Sequence, residues 1–155
     1  MKLAVQIILL VSILFLAFLS YRTWQSTHSP EQAEFLTGKP PSITPEGFYK
    51  GSTTFYRANW QGKTFNSDKN AGDNSFSDGD QPRHKYPFKT YQGAGFKDPS
   101  LTTFKIDYQL PENQFYVRPI LDEVVEVAPG KFLGKIHYRL IPGFPFTIGY
   151  FRLEK

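Results

Sequence analysis

The chain opens with a run of apolar positions that shows no periodicity. Leu3–Leu19 (LAVQIILLVSILFLAFL) is interrupted only by Gln6 and Ser12 and carries no charge. At ~1.5 Å of rise per residue it makes a helix about 25 Å long, near the lower limit for crossing a hydrocarbon core about 30 Å thick. From Gly47 onward the pattern changes to alternation. Phe104, Ile106, Tyr108 and Leu110 fall on one face, opposite Thr103, Lys105 and Asp107. Phe132, Ile136, Tyr138 and Leu140 likewise oppose Lys131, Lys135, His137 and Arg139. A two-residue period with one apolar face is that of half-buried antiparallel strands. Phe146, Ile148 and Tyr150 continue it, and Phe151 and Leu153 then place apolar groups on the opposite face, as a bulge does.

Turn chemistry divides this region into short strands. Gly47–Arg57 and Trp60–Asn66 pair around Ala58-Asn59. Ala128-Pro129-Gly130-Lys131 is a type II turn between Glu123–Val127 and Phe132–Leu140, and Pro142-Gly143 turns the chain into its last strand. Pro87 and Pro119 interrupt Tyr86–Phe96 and Phe115–Leu121, which predicts edge strands there. Ser67–Arg83 reads as an acidic, glycine-containing loop. The expected fold is mainly β: an N-terminal single transmembrane helix followed by a small antiparallel β-barrel or sandwich. The segments are a signal-anchor (1–24), a Pro-rich stalk (25–46) and the β domain (47–155). Within the stalk, Pro30–Leu36 is predicted to form a short helix, with Ser29 as N-cap and Gly38 beyond its end.

Composition narrows the function classes. Aromatic residues make up 17% of the chain, and only Phe15 and Phe18 fall inside Leu3–Leu19, so the β domain is rich in Phe and Tyr. The net charge of +4 is dispersed; without a Lys/Arg block, nucleic acid is not an expected partner. The absence of cysteine removes disulfides, thiolate metal sites and lipobox acylation. Signal cleavage needs small residues at −3 and −1, yet Phe15 or Phe18 would stand at −3. The segment is therefore read as a retained anchor, with Tyr21, Arg22 and Trp24 at the interface. An anchor followed by a long polar domain predicts a single-pass protein whose C-terminal domain is exported, periplasmic or extracellular.

No nucleophile elbow, P-loop, HExxH or dinucleotide fingerprint is present. His28, His84 and His137 lack metal-ligand spacing, and His137 is placed on a solvent-facing strand surface. Asp68, Asn70, Asp73, Asp78 and Asp80 suggest calcium, but Asp73 and Gly79 occupy the positions where an EF-hand needs glycine and glutamate. No catalytic residue, metal or cofactor is therefore expected. Asp122-Glu123 is informative because adjacent strand residues point to opposite faces, so one carboxylate turns inward and needs a donor. Arg118, Arg139 and Tyr138 are the candidates, with a cross-strand donor favoured for Asp122. The candidate ligand-binding set is Trp60, Tyr108, Arg118, Asp122 and Tyr138.

Asn59-Trp60-Gln61-Gly62-Lys63-Thr64-Phe65 resembles the tryptophan-glycine-lysine-phenylalanine signature of the small GXWXG-type domains of unknown function, with Asn59 in place of the first glycine. Ile120-Leu121-Asp122-Glu123, Leu133-Gly134-Lys135 and Tyr150-Phe151-Arg152-Leu153 resemble their closing strands. The resemblance implies a lipocalin-like barrel with a tryptophan plugging one end, and brings no activity. Two functions follow for a domain tethered to the membrane through residues 3–19. It is an interaction or structural module docking on a membrane-protein partner, or it binds an apolar ligand such as a lipid or isoprenoid. A Phe- and Tyr-lined cavity of several hundred Å3 would favour the second.

Overall fold

The computed structural model of the chain describes residues 2–53, 59–79 and 81–155. Helix α1 (Lys2–Thr27) contains the whole apolar run, and α2 (Pro30–Thr37) follows after a two-residue break. Pro30 opens α2 where its missing N–H is not needed. Eight strands come next: β1 (Gly47–Thr53), β2 (Trp60–Asn66), β3 (Ala71–Asp78), β4 (Gln81–Ala94), β5 (Thr102–Asp107), β6 (Ile120–Ala128), β7 (Lys131–Ile141) and β8 (Phe144–Glu154). Each pairs antiparallel with the next, and β8 pairs with β1 to close an up-and-down barrel.

Closure explains why the prolines mark no edges. Pro87 lies inside the 14-residue β4, at a bulge where the register steps from Gly72↔Phe88 to Asn74↔Lys85. The extra residues there leave proline without a ladder bond to supply, and Tyr86 beside it takes a positive φ of 56°. The expected Ser67–Arg83 loop is instead β3 and the start of β4, joined to β2 by the turn at Ser67–Asn70. Its small polar residues pair as a ladder because the neighbouring strands offer partners on both sides. Phe115–Pro119, expected as strand, is a run of turns preceding β6. Arg57-Ala58, at the expected first hairpin, lies outside the described residues, as does Asp80.

Two clusters make the core. Tyr49, Phe65, Phe88, Phe104, Phe132 and Leu153 are buried inside the barrel; most lie toward the end formed by Ser67–Asn70 and Gly130 and fill it. Outside the wall, Phe35 of α2 is fully buried against Val125, Leu133 and Tyr150. The segment expected as a Pro-rich stalk is thus laid on the barrel. Lys39 bridges to Glu126, Glu126 accepts from Ser42, and Glu34 pairs with Arg152 at 2.6 Å.

The second half of α1 also lies on the wall, parallel to β8. Leu19 and Ser26 are buried, Thr23 Oγ1 accepts from the Thr147 N–H at 3.0 Å, and Arg22 donates to Ile148 O at 2.7 Å. The Phe15 ring stands edge-on to Tyr138, with centroids 6.4 Å apart. Residues N-terminal to Phe15 extend past the barrel and are exposed, from Leu14 at 60% to Leu3 at 69%. By length and composition α1 is able to cross a membrane.

Candidate functional site

The barrel is filled at one end and hollow at the other. A cavity of about 360 Å3 opens toward the ends of the strands at Trp60, Ile120 and Tyr138. Its walls are Trp60, Phe76, Tyr86, Ile120, Ile136 and Phe151, with Tyr116 and Val117 at the mouth. Glycine makes room for the largest rings: a Cβ on Gly51 would overlap Trp60, and one on Gly134 would overlap Phe151.

Four polar side chains line the cavity at its inner end: Lys63, Asn74, Tyr108 and Asp122. Strict alternation from Trp60 would send Lys63 outward. A bulge between Trp60 and Gly62 reverses the parity, so Lys63 and Phe65 both point inward. Gly62, at φ 143°, also approaches Tyr49 O more closely than any Cβ would permit. Lys63 Nζ donates to Asn74 Oδ1 at 3.0 Å and to the Tyr108 hydroxyl, and meets Asp122 Oδ2 at 3.1 Å. These three acceptors use all three ammonium protons. The aromatic faces of Trp60, Phe88, Tyr108 and Phe151 lie 4.9–5.6 Å from the same nitrogen. Asn74 also accepts from Trp60 Nε1 at 3.1 Å, which orients the indole along the wall.

The carboxylate of Asp122 is incompletely satisfied. Oδ2 meets Lys63 and accepts from the Tyr108 hydroxyl at 3.3 Å, whereas Oδ1 has no partner among the described residues. Asp122 is 3% exposed, so water does not substitute freely. Burial pushes the Asp122 carboxyl up and the Lys63 ammonium down, each opposed by the charge of the other. Burial and the neighbouring Asp122 together hold the Tyr108 phenol well above its ordinary range. The floor therefore keeps a net-neutral pair with one buried carboxylate oxygen left unpartnered among the described residues.

The sequence-derived candidates separate here. Trp60, Tyr108 and Asp122 meet at the cavity. Arg118 does not: it lies outside, donating to Asn113 O and Pro111 O at 2.8 Å. Tyr138 stands against Phe15 of α1 and does not line the cavity. Arg139, the expected donor to Asp122, instead reaches outward to Asp107 at 2.7 Å. The donor comes from β2, across the barrel, where sequence adjacency gives no hint. Lys63 and Asn74 were missed because bulges shift their parity.

Glu123 faces the other way, into a second buried polar cluster under α1 and Phe96. It pairs with Lys105 and accepts from His137 Nε2 at 2.9 Å and from the Phe96 N–H at 2.7 Å. His137 Nδ1 then accepts from the Thr147 hydroxyl at 3.2 Å. His137 is 0% exposed, not solvent-facing, because the outer surface of β7 and β8 is roofed by the chain itself. Burial alone would raise the Glu123 carboxyl, but the bonds from His137 and Lys105 bring it down to about 2. Burial lowers His137, so it stays neutral. The order hydroxyl, imidazole, carboxylate resembles a nucleophile with its base. With Glu123, His137 and Thr147 all at 0% exposure, it has no access for substrate and serves to fasten the wall. Among the described residues no cluster of three or more His, Asp or Glu side chains is placed to hold a metal. No family model, curated protein or solved structure matches the chain.

Proposed function

We propose that the barrel binds one apolar molecule with a small neutral polar head, such as the hydroxyl of a lipid or isoprenoid alcohol. The observation that carries this reading is a hollow with an aromatic wall and a floor made by Lys63, Asn74, Tyr108 and Asp122. Its volume of about 360 Å3 falls at the lower end of small-molecule sites. That suits a small ligand, or the head and first carbons of a longer chain whose tail leaves by the mouth. A neutral polar head rests on the net-neutral Lys63–Asp122 pair without disturbing it, whereas an anionic head would face the carboxylate and a cationic one would compete with Lys63. The interior of a closed eight-stranded barrel, where side chains do not fill it, is wide enough for one small ligand. That support is an analogy of architecture, in keeping with the lipocalin-like expectation. The hollow favours ligand binding over a purely structural or docking module.

In this reading α1 is a retained signal-anchor, and the barrel sits on the exported side of the membrane, close to a source of lipid. Native mass spectrometry of full-length protein extracted from membranes tests it. The expected result is a co-purified mass lost on solvent extraction, and saturable quenching of Trp60 fluorescence in a Trp24→Phe background when a long-chain alcohol is added back. A ligand-free spectrum with no response to fatty or isoprenoid alcohols would overturn the proposal.

A further inference from the structure

The direction of α1 relative to the barrel mouth has a geometric consequence. Going toward its N-terminus, α1 meets Tyr150 through Ser26, Thr147 through Thr23 and Tyr138 through Phe15. These contacts progress from the filled end toward the mouth. The free part of α1, Lys2–Leu14, consequently projects some 20 Å beyond Tyr138 on the mouth side. Tyr138 itself lies three residues, about 10 Å, short of the β7–β8 hairpin tip at Ile141.

The mouth carries the large exposed apolar groups that such a position needs. Phe115 is 80% exposed and Phe144 56%, with Leu140, Ile141 and Tyr116 between 43% and 49%. They belong to the β7–β8 tip and the β5–β6 connection, which meet where the Arg139 N–H donates to Pro119 O at 2.9 Å. The filled end is more mixed: Asp68, Lys69, Lys131, Glu154 and Lys155 are exposed there, with Ile43 and Phe48 among them. Large apolar side chains exposed on two adjoining rim loops, beside a helix able to cross a bilayer, mark an interaction surface.

We infer that this rim is a membrane-docking surface, and that the barrel stands mouth-down on the bilayer that holds α1. Phe15 and Leu19 belong to the apolar segment yet touch the barrel, so the mouth end of the wall enters the bilayer with them. The hairpin tip reaches deeper, so Leu140, Ile141 and Phe144 enter the acyl region beside α1. Tyr21 and Trp24, stacked at 6.3 Å and exposed, sit about 9–14 Å above Phe15, at headgroup level. The cavity then opens onto the leaflet, and a ligand passes between bilayer and barrel without crossing water. The inference rests on placing α1 in the membrane, as the proposed function does, and does not depend on what fills the cavity.

The absence of cysteine makes the test direct. Single-cysteine variants of the full chain, Phe144→Cys and Phe115→Cys at the rim, Lys69→Cys and Lys131→Cys at the filled end, and Leu9→Cys in α1, are labelled with an environment-sensitive fluorophore. Each is reconstituted in phosphatidylcholine–phosphatidylglycerol vesicles containing lipids spin-labelled near the headgroup or deep in the chain. The rim labels, and Leu9 in α1, should be quenched several-fold more than the Lys69 and Lys131 labels. Rim labels as water-exposed as Lys131 would overturn the inference, as would an unquenched label at Leu9. A quenched rim on a ligand-free protein would keep the docking surface and remove the ligand reading; a bound lipid with an unquenched rim would do the reverse.

Discussion

Removing the Asp122 carboxylate should destabilise the barrel far more than an ordinary surface substitution. The pair Lys63–Asp122 is separated by 3.1 Å, and both side chains are at most 4% exposed. At an effective dielectric of ~20, opposite charges at that distance attract by about 5 kcal/mol. Desolvation offsets much of this, so the pair adds little net stability. Breaking it from one side has no such compensation: Asp122→Ala leaves a buried ammonium with two neutral acceptors, and Lys63→Met leaves a buried carboxylate with one phenol. Each single change should cost about 3–5 kcal/mol, a large part of the ~5–15 kcal/mol that holds a domain together. The double variant Lys63→Met/Asp122→Leu leaves neither charge and should come within ~1–2 kcal/mol of the parent. Urea unfolding of the full-length proteins in one mild detergent, followed by circular dichroism, measures all four corners of the cycle. A loss below ~0.5 kcal/mol for Asp122→Ala would mean the group is solvated. A double variant less stable than either single one would mean the two residues do not act as a pair. Either result refutes the polar floor as described.

Acid stability should follow Glu123 and His137. A carboxyl brought from its ordinary 4.5 to about 2 contributes up to about 3 kcal/mol above pH ~4.5, lost as pH falls toward 2. His137, lowered by burial, adds a contribution present above pH ~6.5 and lost below it. Melting temperature should therefore fall below pH ~6 and more steeply below ~4.5; a parallel profile for Glu123→Gln would contradict this. Gly134→Ala places a methyl in the ring of Phe151 and should cost about 1–3 kcal/mol by overpacking, with unchanged thermal melting the contrary result. The exposed Glu34–Arg152 pair is a control: Glu34→Ala should cost under ~1 kcal/mol. Intact-mass measurement should find the 17.8 kDa chain with its N-terminal segment retained; a product starting near Tyr21 would show cleavage.

Much of the architecture is legible locally. An uncharged apolar run of membrane length, a two-residue alternation and Pro-Gly turns are short-range signals, and they specify α1, β5, β7, β8 and the Gly130 turn without reference to anything distant. The alternation also says that Asp122 and Glu123 face opposite sides of one strand. What the sequence could not supply is parity across bulges and the identity of partners. The bulge between Trp60 and Gly62 turns Lys63 inward, and the bulge between Gly72 and Asn74 makes a floor residue out of what reads as a solvated loop. Barrel closure brings β2 opposite β6, so Asp122 meets Lys63 rather than the nearby Arg118. It also removes the edges that Pro87 and Pro119 suggested. His137 lies on the outward side of its strand as the period requires, yet it is buried because α1 folds back over that surface. Facing is a local property of a strand, set by its pleat, whereas burial and pairing depend on what the rest of the chain lays against it.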